Sequence, residues 1–303
     1  MTERERTLRR LNLGPRTYGE YLARGIVDGP RSSISVSAVP DVPSAFVYKN
    51  VLTREECDRF IESVDREIPW APANRQKTYR DCDRALVWSE GLSQLVFQRL
   101  GLPGSLPPEL QDVRVSKDDT RGFMDELGTE GGWRAASLNP DWRVCRYEHG
   151  GHFAPHLDGI KVMSNDKRSF LTVMLYLTGG FDGGSTVFLS DMELNEQVTQ
   201  KKVIAEVIPE PGLCLVFWSR TLHCGSAVVR SDPSMPLKYI LRTDLMYERT
   251  SKPTEGEGWD SEALTLLRQA EKLECDGEFE RAIRCYGQLR HRYPALAEAA
   301  RIV

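Results

Sequence analysis

From about residue 110 to 250 the chain breaks into short runs rich in β-branched and aromatic residues: VRVSK, WRVCRY, FLTVMLYL, STVFL, VIAEVIP, CLVFW and KYILRTDLMY. Glycine and proline punctuate them, at Gly150-Gly151, Gly179-Gly180, Asp182-Gly183-Gly184 and Pro211-Gly212. Such residues favour the pleated, half-buried surface of a sheet, and such turns let the chain reverse. No segment between the runs repeats its apolar residues at helical spacing for long enough to form a crossover helix. Parallel βαβ architecture is therefore disfavoured. The expected fold is mainly β, an antiparallel sandwich or barrel with helices packed outside.

Two of those helices are legible upstream. Thr53-x-x-Glu56 has the form of a capping box, and Cys57, Phe60, Ile61 and Val64 follow at helical spacing. A second helix is expected over 89–100, with Leu92, Leu95, Val96 and Leu100 on one face. Residues 1–40 read as a flexible N-terminal arm. Its segment GPRSSISVSAVPDVPS is rich in Ser, Pro and Gly, and little structure is expected before Phe46. The main domain spans 41–250, with its core at about 140–250. SKPTEGEGWDSE reads as a linker. Helices are then expected over 260–275 and 278–293, the second stopped by Pro294, so that 258–303 forms a helical hairpin.

Apolar residues make up 40% and charged residues 28%, as in a soluble globular protein. The formal charge of −4 offers no bulk attraction to nucleic acid or anionic lipid. Seven cysteines are scattered without a C-x-x-C pair, which argues against both a disulfide framework and a zinc ribbon. No run of about 18 apolar residues occurs, so no membrane span is expected. The opening MTERERTLRRLNLGPRTYGEYLARG is charged throughout and lacks the apolar stretch of a secretory signal. Cytoplasm or nucleus is the expected compartment.

The chemistry concentrates in RYEHGGHFAPHLDG, residues 146–159, which holds three of the chain's five histidines. On a strand, residues two apart point to one face, so His156 and Asp158 can converge while Leu157 turns away. One further imidazole completes the 2-His-1-carboxylate set that suits non-haem Fe(II), with positions left open for a cosubstrate and O₂. His223 supplies it, placed after the apolar run CLVFW where an antiparallel strand returns. The expected metal and catalytic residues are therefore His156, Asp158 and His223. His149 and His152 flank Gly150-Gly151, where a turn holds a ligand less firmly, and they are expected at the pocket mouth or in solvent. His291 lies in the charged C-terminal helix.

RYEHGGHFAPHLDG, LTVMLYLTGGFDGGSTVF, VIPEPGLCLVF, Leu222-His223 and KYILRTDLMY, in that order, resemble the catalytic domain of prolyl-4-hydroxylase-type Fe(II)/2-oxoglutarate-dependent dioxygenases. LTREECDRFIES resembles the helix preceding that domain. The resemblance implies a double-stranded β-helix, or jelly-roll, with the metal between its two sheets. It implies Fe(II), with 2-oxoglutarate and O₂ as cosubstrates and ascorbate as a reductant. The implied activity is hydroxylation of an unactivated C–H bond, on a prolyl residue of a protein in the first reading. Another side chain or a small molecule is the alternative within the superfamily. A nucleic-acid demethylase fits the charge and the motif wording less well.

The resemblance also implies a basic residue that holds the far carboxylate of 2-oxoglutarate. Lys238 stands at that place, although fifteen positions separate it from His223 where the family has about ten, so a longer loop is expected. Arg242 shares its strand face and is the second candidate; its other reading is a structural ion pair. Tyr147 matches a family tyrosine that reaches the cosubstrate. Tyr176 could do the same or be a buried core tyrosine, and Phe153 is expected to pack beneath the metal. Substrate specificity is expected on loops at 119–140, including Trp133 and Asn139, at DMELNEQVTQKK and at 224–237.

The tail resembles one tetratricopeptide repeat, with Ala270, Gly277, Ala282, Tyr286 and Pro294 at the repeat's small, aromatic and helix-stop positions. One copy cannot bury its own face. It is expected to target a protein partner or the substrate, or else to cover the sheet. A non-catalytic adaptor acting through this hairpin is the alternative from another class. It does not explain why a complete open site would be kept.

Overall fold

The structure, a computed structural model, describes residues 33–68, 70–73, 76–116, 129–190, 202–251, 259–275, 278–300 and 302. Its strands are β1 (Ser35–Ala38), β2 (Ala45–Lys49), β3 (Ala71–Pro72), β4 (Asp83–Trp88), β5 (Asp112–Val115), β6 (Gly131–Leu138), β7 (Asp141–Tyr147), β8 (Phe153–His156) and β9 (Val162–Ser164). They continue with β10 (Lys167–Tyr176), β11 (Asp182–Gly183), β12 (Thr186–Leu189), β13 (Val203–Val207), β14 (Cys214–Trp218), β15 (His223–Gly225), β16 (Val228–Val229) and β17 (Lys238–Arg249). The helices are α1 (Arg54–Glu67), α2 (Glu90–Arg99), α3 (Pro108–Gln111), α4 (Ser261–Cys275), α5 (Phe279–Arg292) and α6 (Pro294–Ala299).

Two antiparallel sheets face each other as a jelly-roll. The large sheet runs β1-β2-β14-β10-β17-β7-β4-β3, and the small one runs β13-β12-β15-β8. Side-chain alternation explains why the central strands read as continuous apolar runs. On β17, Tyr239, Leu241 and Leu245 point outward into the cluster that also holds Phe60 and Val64 of α1 and Leu92 and Val96 of α2. Ile240 points inward with Tyr147, Met174, Phe188 and Phe217. Both faces are buried, so both need apolar residues, and a one-residue slip in register would exchange them. Full burial of a Phe or Val is worth about 1.5–3 kcal/mol, enough for two or three such residues to dock a helix.

Helix α1 begins as the capping box requires: the Thr53 hydroxyl accepts from Glu56 N at 3.2 Å, and Glu56 accepts from Thr53 N at 2.8 Å. The Pro211-Gly212 turn presses on the start of this helix. Gly212 has φ +80°, and a Cβ there would fall 2.0 Å from the Leu52 carbonyl oxygen. The position needs glycine for both reasons.

Some expectations are corrected. The stretch expected to lack structure before Phe46 contains β1, paired with β2 from Ser35↔Lys49 to Ala38↔Phe46. Its alternating Ser/Val pattern suits a sheet edge despite its loop-like composition. Pro294 ends α5 but also starts α6, where a proline in the first turn leaves no extra amide unpaired. Trp133 and Asn139 are buried, bonded to the Thr129 carbonyl and the Asp244 carboxylate, and do not line the pocket mouth. The loop 119–128 and most of DMELNEQVTQKK lie outside the described residues.

The C-terminal hairpin packs on the β-core. Trp259, Leu264, Leu267, Leu289 and Leu296 join the outer hydrophobic cluster, and Ala270 and Ala282 are buried in the hairpin. Asn165 bonds both the N–H and the carbonyl of Trp259, at 2.7 and 3.2 Å. Glu271 of α4 pairs with buried Lys161 at 2.7 Å. Among the described residues no helix is long and apolar enough to cross a membrane.

Candidate metal centre and active site

β8 and β15 are neighbours in the small sheet, with His223 directly opposite His156. Asp158 follows β8, anchored by its N–H to the Ser219 carbonyl at 2.9 Å. One ligand atom from each of His156, Asp158 and His223 lies within 4.8 Å of the others. His156 Nε2 stands 3.6 Å from Asp158 Oδ1, and His223 Nε2 3.7 Å from Oδ2.

The two rings are oriented from behind. His156 Nδ1 faces the Ala154 carbonyl at 2.8 Å, and His223 Nδ1 faces the Thr221 carbonyl at 2.9 Å. A carbonyl only accepts, so each Nδ1 carries the proton and each Nε2 presents its lone pair to the shared centre. Phe153 stacks on His156 at 3.6 Å between ring centroids, and Phe217 meets His223 edge-on at 4.7 Å. The Asp158 oxygens are also held: Thr172 Oγ1 donates to Oδ2 at 2.7 Å, and Arg242 Nη2 lies 3.1 Å from Oδ1.

Electrostatics favour the ligating forms of Asp158 and His223. Burial alone would raise the Asp158 carboxyl, but Arg242, His223 and His156 hold it well below the usual carboxylate range. Burial pushes His223 down to about 4 against the pull of Asp158. A carboxylate with two neutral imidazoles is the donor set that binds a divalent metal without first losing protons. The set comes from one side and leaves the other open to a pocket, so Fe(II) fits.

The same pocket is lined by Lys238, Tyr147, Arg80, Cys145 and Arg242. Lys238 is only 3% exposed, and its Nζ sits 4.7 Å from the Tyr147 ring. No carboxylate among the described residues pairs with it, and burial pushes its pKa down to about 8. A buried ammonium without a carboxylate partner among the described residues fits a site for an anionic ligand. Arg242 is occupied differently, by Asp158 and by Asp244 at 3.5 Å. Tyr176 is fully buried and donates to Thr186 at 2.6 Å, within the core rather than along the pocket wall. His152 contacts the carbonyls of Gly150 and Thr78, and His149 accepts from Arg230 N, so both serve loops. His291 is exposed.

Sequence reasoning did not single out Thr172, Arg80 or Asp244. Thr172 had a visible signal, as the polar residue inside the apolar run FLTVMLYL. Asp244 had a similar one in KYILRTDLMY. Arg80 had none, because it lies outside every strand motif and is brought in by a single bridge to Phe153.

The family model of the 2OG-Fe(II) oxygenase superfamily matches residues 142–241, a segment holding all three candidate ligands and Lys238. The chain is similar to prolyl 4-hydroxylase 2 of Arabidopsis thaliana, 28% identical over 242 residues that cover 71% of this chain and 74% of that one. It is likewise similar to the probable prolyl 4-hydroxylase 10 of that plant, 26% identical over 72% of this chain and 76% of the relative. Among solved structures, the viral collagen prolyl hydroxylase of Paramecium bursaria Chlorella virus-1, in complex with 2OG, aligns with TM-score 0.40 and 17% identity. That alignment covers 68% of this chain and 96% of the viral one. The segment that carries the site is therefore a domain of the 2OG-Fe(II) oxygenase superfamily, and the chain is an oxidoreductase that uses Fe(II), 2-oxoglutarate and O₂.

Proposed function

We propose that the chain hydroxylates a prolyl residue of a protein or peptide, with His156, Asp158 and His223 as the metal ligands and Lys238 as the anchor of 2-oxoglutarate. The observation that carries this reading is the pairing, in one pocket, of an open three-ligand centre with a buried cation that has no carboxylate partner among the described residues. Similarity to prolyl 4-hydroxylases supports proline as the target.

When bound, Fe(II), 2-oxoglutarate and O₂ would supply the oxidation: one oxygen atom of O₂ would go to succinate, formed with loss of CO₂ from the cosubstrate, and the other would enter the substrate C–H bond as a hydroxyl group. The protein supplies geometry. The Ala154 and Thr221 carbonyls fix the imidazole tautomers. Thr172 and Arg242 hold the Asp158 carboxylate so that it cannot rotate away. Lys238 offers its charge to the far carboxylate of the cosubstrate. Arg242 is assigned to Asp158 rather than to the cosubstrate, because its guanidinium already faces that carboxylate. Phe153, Phe217 and Ile240 keep the pocket wall apolar, which strengthens each of these charge contacts.

The test is 2-oxoglutarate turnover with added Fe(II), followed on proline-containing peptides by mass spectrometry. Wild type is expected to add about 16 Da to a prolyl residue, the mass of one oxygen atom transferred by cofactor chemistry. His156→Ala and Asp158→Ala are expected at background. Equal turnover in all three sinks the ligand assignment. Turnover with hydroxylation of another side chain or a small molecule sinks only the prolyl part.

We read the outer face of the hairpin, where Ile283 is 65% exposed, as a surface for a protein partner. The cytoplasm or nucleus stays our reading of the compartment; the free state of Cys57, Cys82, Cys145, Cys214, Cys224 and Cys285 supports it.

A further inference from the structure

We propose that Arg80 is a second cosubstrate-binding residue, sharing the far carboxylate of 2-oxoglutarate with Lys238. This rests on the functional reading above. Arg80 precedes β4, and an isolated antiparallel bridge to Phe153 holds its segment against β8. Asp81 and His152 exchange backbone hydrogen bonds at 3.0 and 3.2 Å, and Ala154 N donates to the Tyr79 carbonyl at 2.8 Å. These bonds fix where the side chain enters the pocket.

The guanidinium lies 4.3 Å from the centre of the Phe153 ring, on the residue that itself stacks on His156. Its hydrogen bonds go to two sulfur atoms: Nε to Cys82 Sγ at 3.2 Å and Nη2 to Cys145 Sγ at 3.0 Å. Sulfur is a weaker acceptor than a carboxylate oxygen, although the Cys82 hydrogen bond and Arg80 pull the Cys145 thiol down to about 5 against burial, and no carboxylate among the described residues pairs with this arginine. Across the β7–β17 ladder, Lys238 pairs with Tyr147 and Ile240 with Cys145. Lys238 and the sulfur that Arg80 holds therefore flank one short piece of strand, on one face. The proximity of Arg80 also adds to the depression of the Lys238 pKa.

Two cations converging on a largely apolar pocket wall are costly unless an anion joins them. The cosubstrate carries two carboxylates. One goes with its keto group toward the metal, which leaves the other for this end of the pocket. A lysine offers a point charge, whereas an arginine fork takes both oxygens of a carboxylate. Together they distinguish a dicarboxylate from a monocarboxylic keto acid of the same length. The sulfur contacts are weak enough to be exchanged when the carboxylate arrives.

The experiment is calorimetric binding to the full chain loaded with Mn(II), which replaces Fe(II) without turnover. The ligands are 2-oxoglutarate and 2-oxopentanoate, which has a methyl group in place of the far carboxylate. Arg80→Gln is expected to weaken 2-oxoglutarate about tenfold, as for loss of one charge-assisted contact. The same variant should leave 2-oxopentanoate within about twofold, since that ligand makes no such contact. Arg80→Lys should recover part of the loss. An equal loss for both ligands would mean that Arg80 only packs on Phe153, and would overturn the proposal. So would unchanged 2-oxoglutarate affinity in Arg80→Gln, or in Arg80→Lys with unaltered selectivity should the glutamine variant not fold. Failure of the wild type to bind 2-oxoglutarate would instead overturn the functional reading itself.

Discussion

Lys238 and Arg242 stand four residues apart on one strand face, and either could bind a carboxylate. Their neighbours separate them. Arg242 is 3.1 Å from Asp158 and also faces Asp244, while Lys238 has an aromatic ring beside it and, among the described residues, no acid. With no ligand bound, burial holds the Lys238 pKa down to about 8. On the proposed assignment its ammonium is the form that attracts the cosubstrate. Affinity for 2-oxoglutarate is therefore expected to be flat below about pH 8 and to fall by up to about tenfold per unit above it, as binding must then take up a proton. Calorimetry of the Mn(II) form between pH 7 and 10 checks this, and an affinity unchanged to pH 10 would refute it. The stability of the ligand-free protein moves the other way. An unfolded lysine keeps its proton to about 10.4, so between about 8 and 10.4 the unfolded state binds more protons than the folded one. The cost of burying the charge is present in full below that window and is relieved as pH rises through it.

At the scale of elements, the capping box of α1 was legible because its two residues are three apart and the geometry is local. What Glu56 does besides was not. Arg99, at the end of α2, makes two bonds to its carboxylate at 2.8 and 2.9 Å, and both side chains are almost wholly buried. One acid thus caps one helix and neutralises the end of another. Thr53→Ala is expected to cost about 1 kcal/mol, the usual value of an N-cap. Glu56→Ala is expected to cost about 3–5 kcal/mol, because it leaves a buried guanidinium without its anion. Urea denaturation measures both. Similar losses for the two variants would show that capping, rather than the ion pair, dominates. The expectation of an unstructured stretch before Phe46 failed for the converse reason. Loop-like composition is a local signal, and the edge of β2 that β1 pairs with is not visible in it.

At the scale of the whole molecule, the helical hairpin and the β-core share one hydrophobic cluster. Lys161, three residues after Asp158, is buried between Glu271 of α4 at 2.7 Å and Asp141 of β7 at 3.5 Å. The hairpin therefore helps to hold the segment that leaves the metal site. Unfolding in urea is expected to be a single transition, with the same midpoint by far-UV circular dichroism and by tryptophan fluorescence. Glu271→Ala should lower that midpoint for both signals together, by about 1–3 kcal/mol for the loss of a largely buried charged partner. Two separate transitions would mean that the hairpin is an independent module.

The sequence by itself determined the antiparallel β architecture, the helix starts and the three residues that converge at the centre. Most depend on short-range regularities: period-two alternation, glycine turns, a capping box, and a His-x-Asp spacing that puts two side chains on one face; His223, 65 residues after Asp158, followed from the apolar run before it and the strand expected to return there. Only the tertiary structure decided which cation is left without an acid among the described residues, that Thr172 and Arg242 hold Asp158, that Arg80 enters the pocket, and that the hairpin docks on the core. Those outcomes depend on partners brought together from distant parts of the chain, such as Arg80 beside Cys145 or Lys161 beside Glu271. Charge pairing is settled by distances of a few ångströms, and spacing along the chain does not encode these when the contact crosses between sheets or elements.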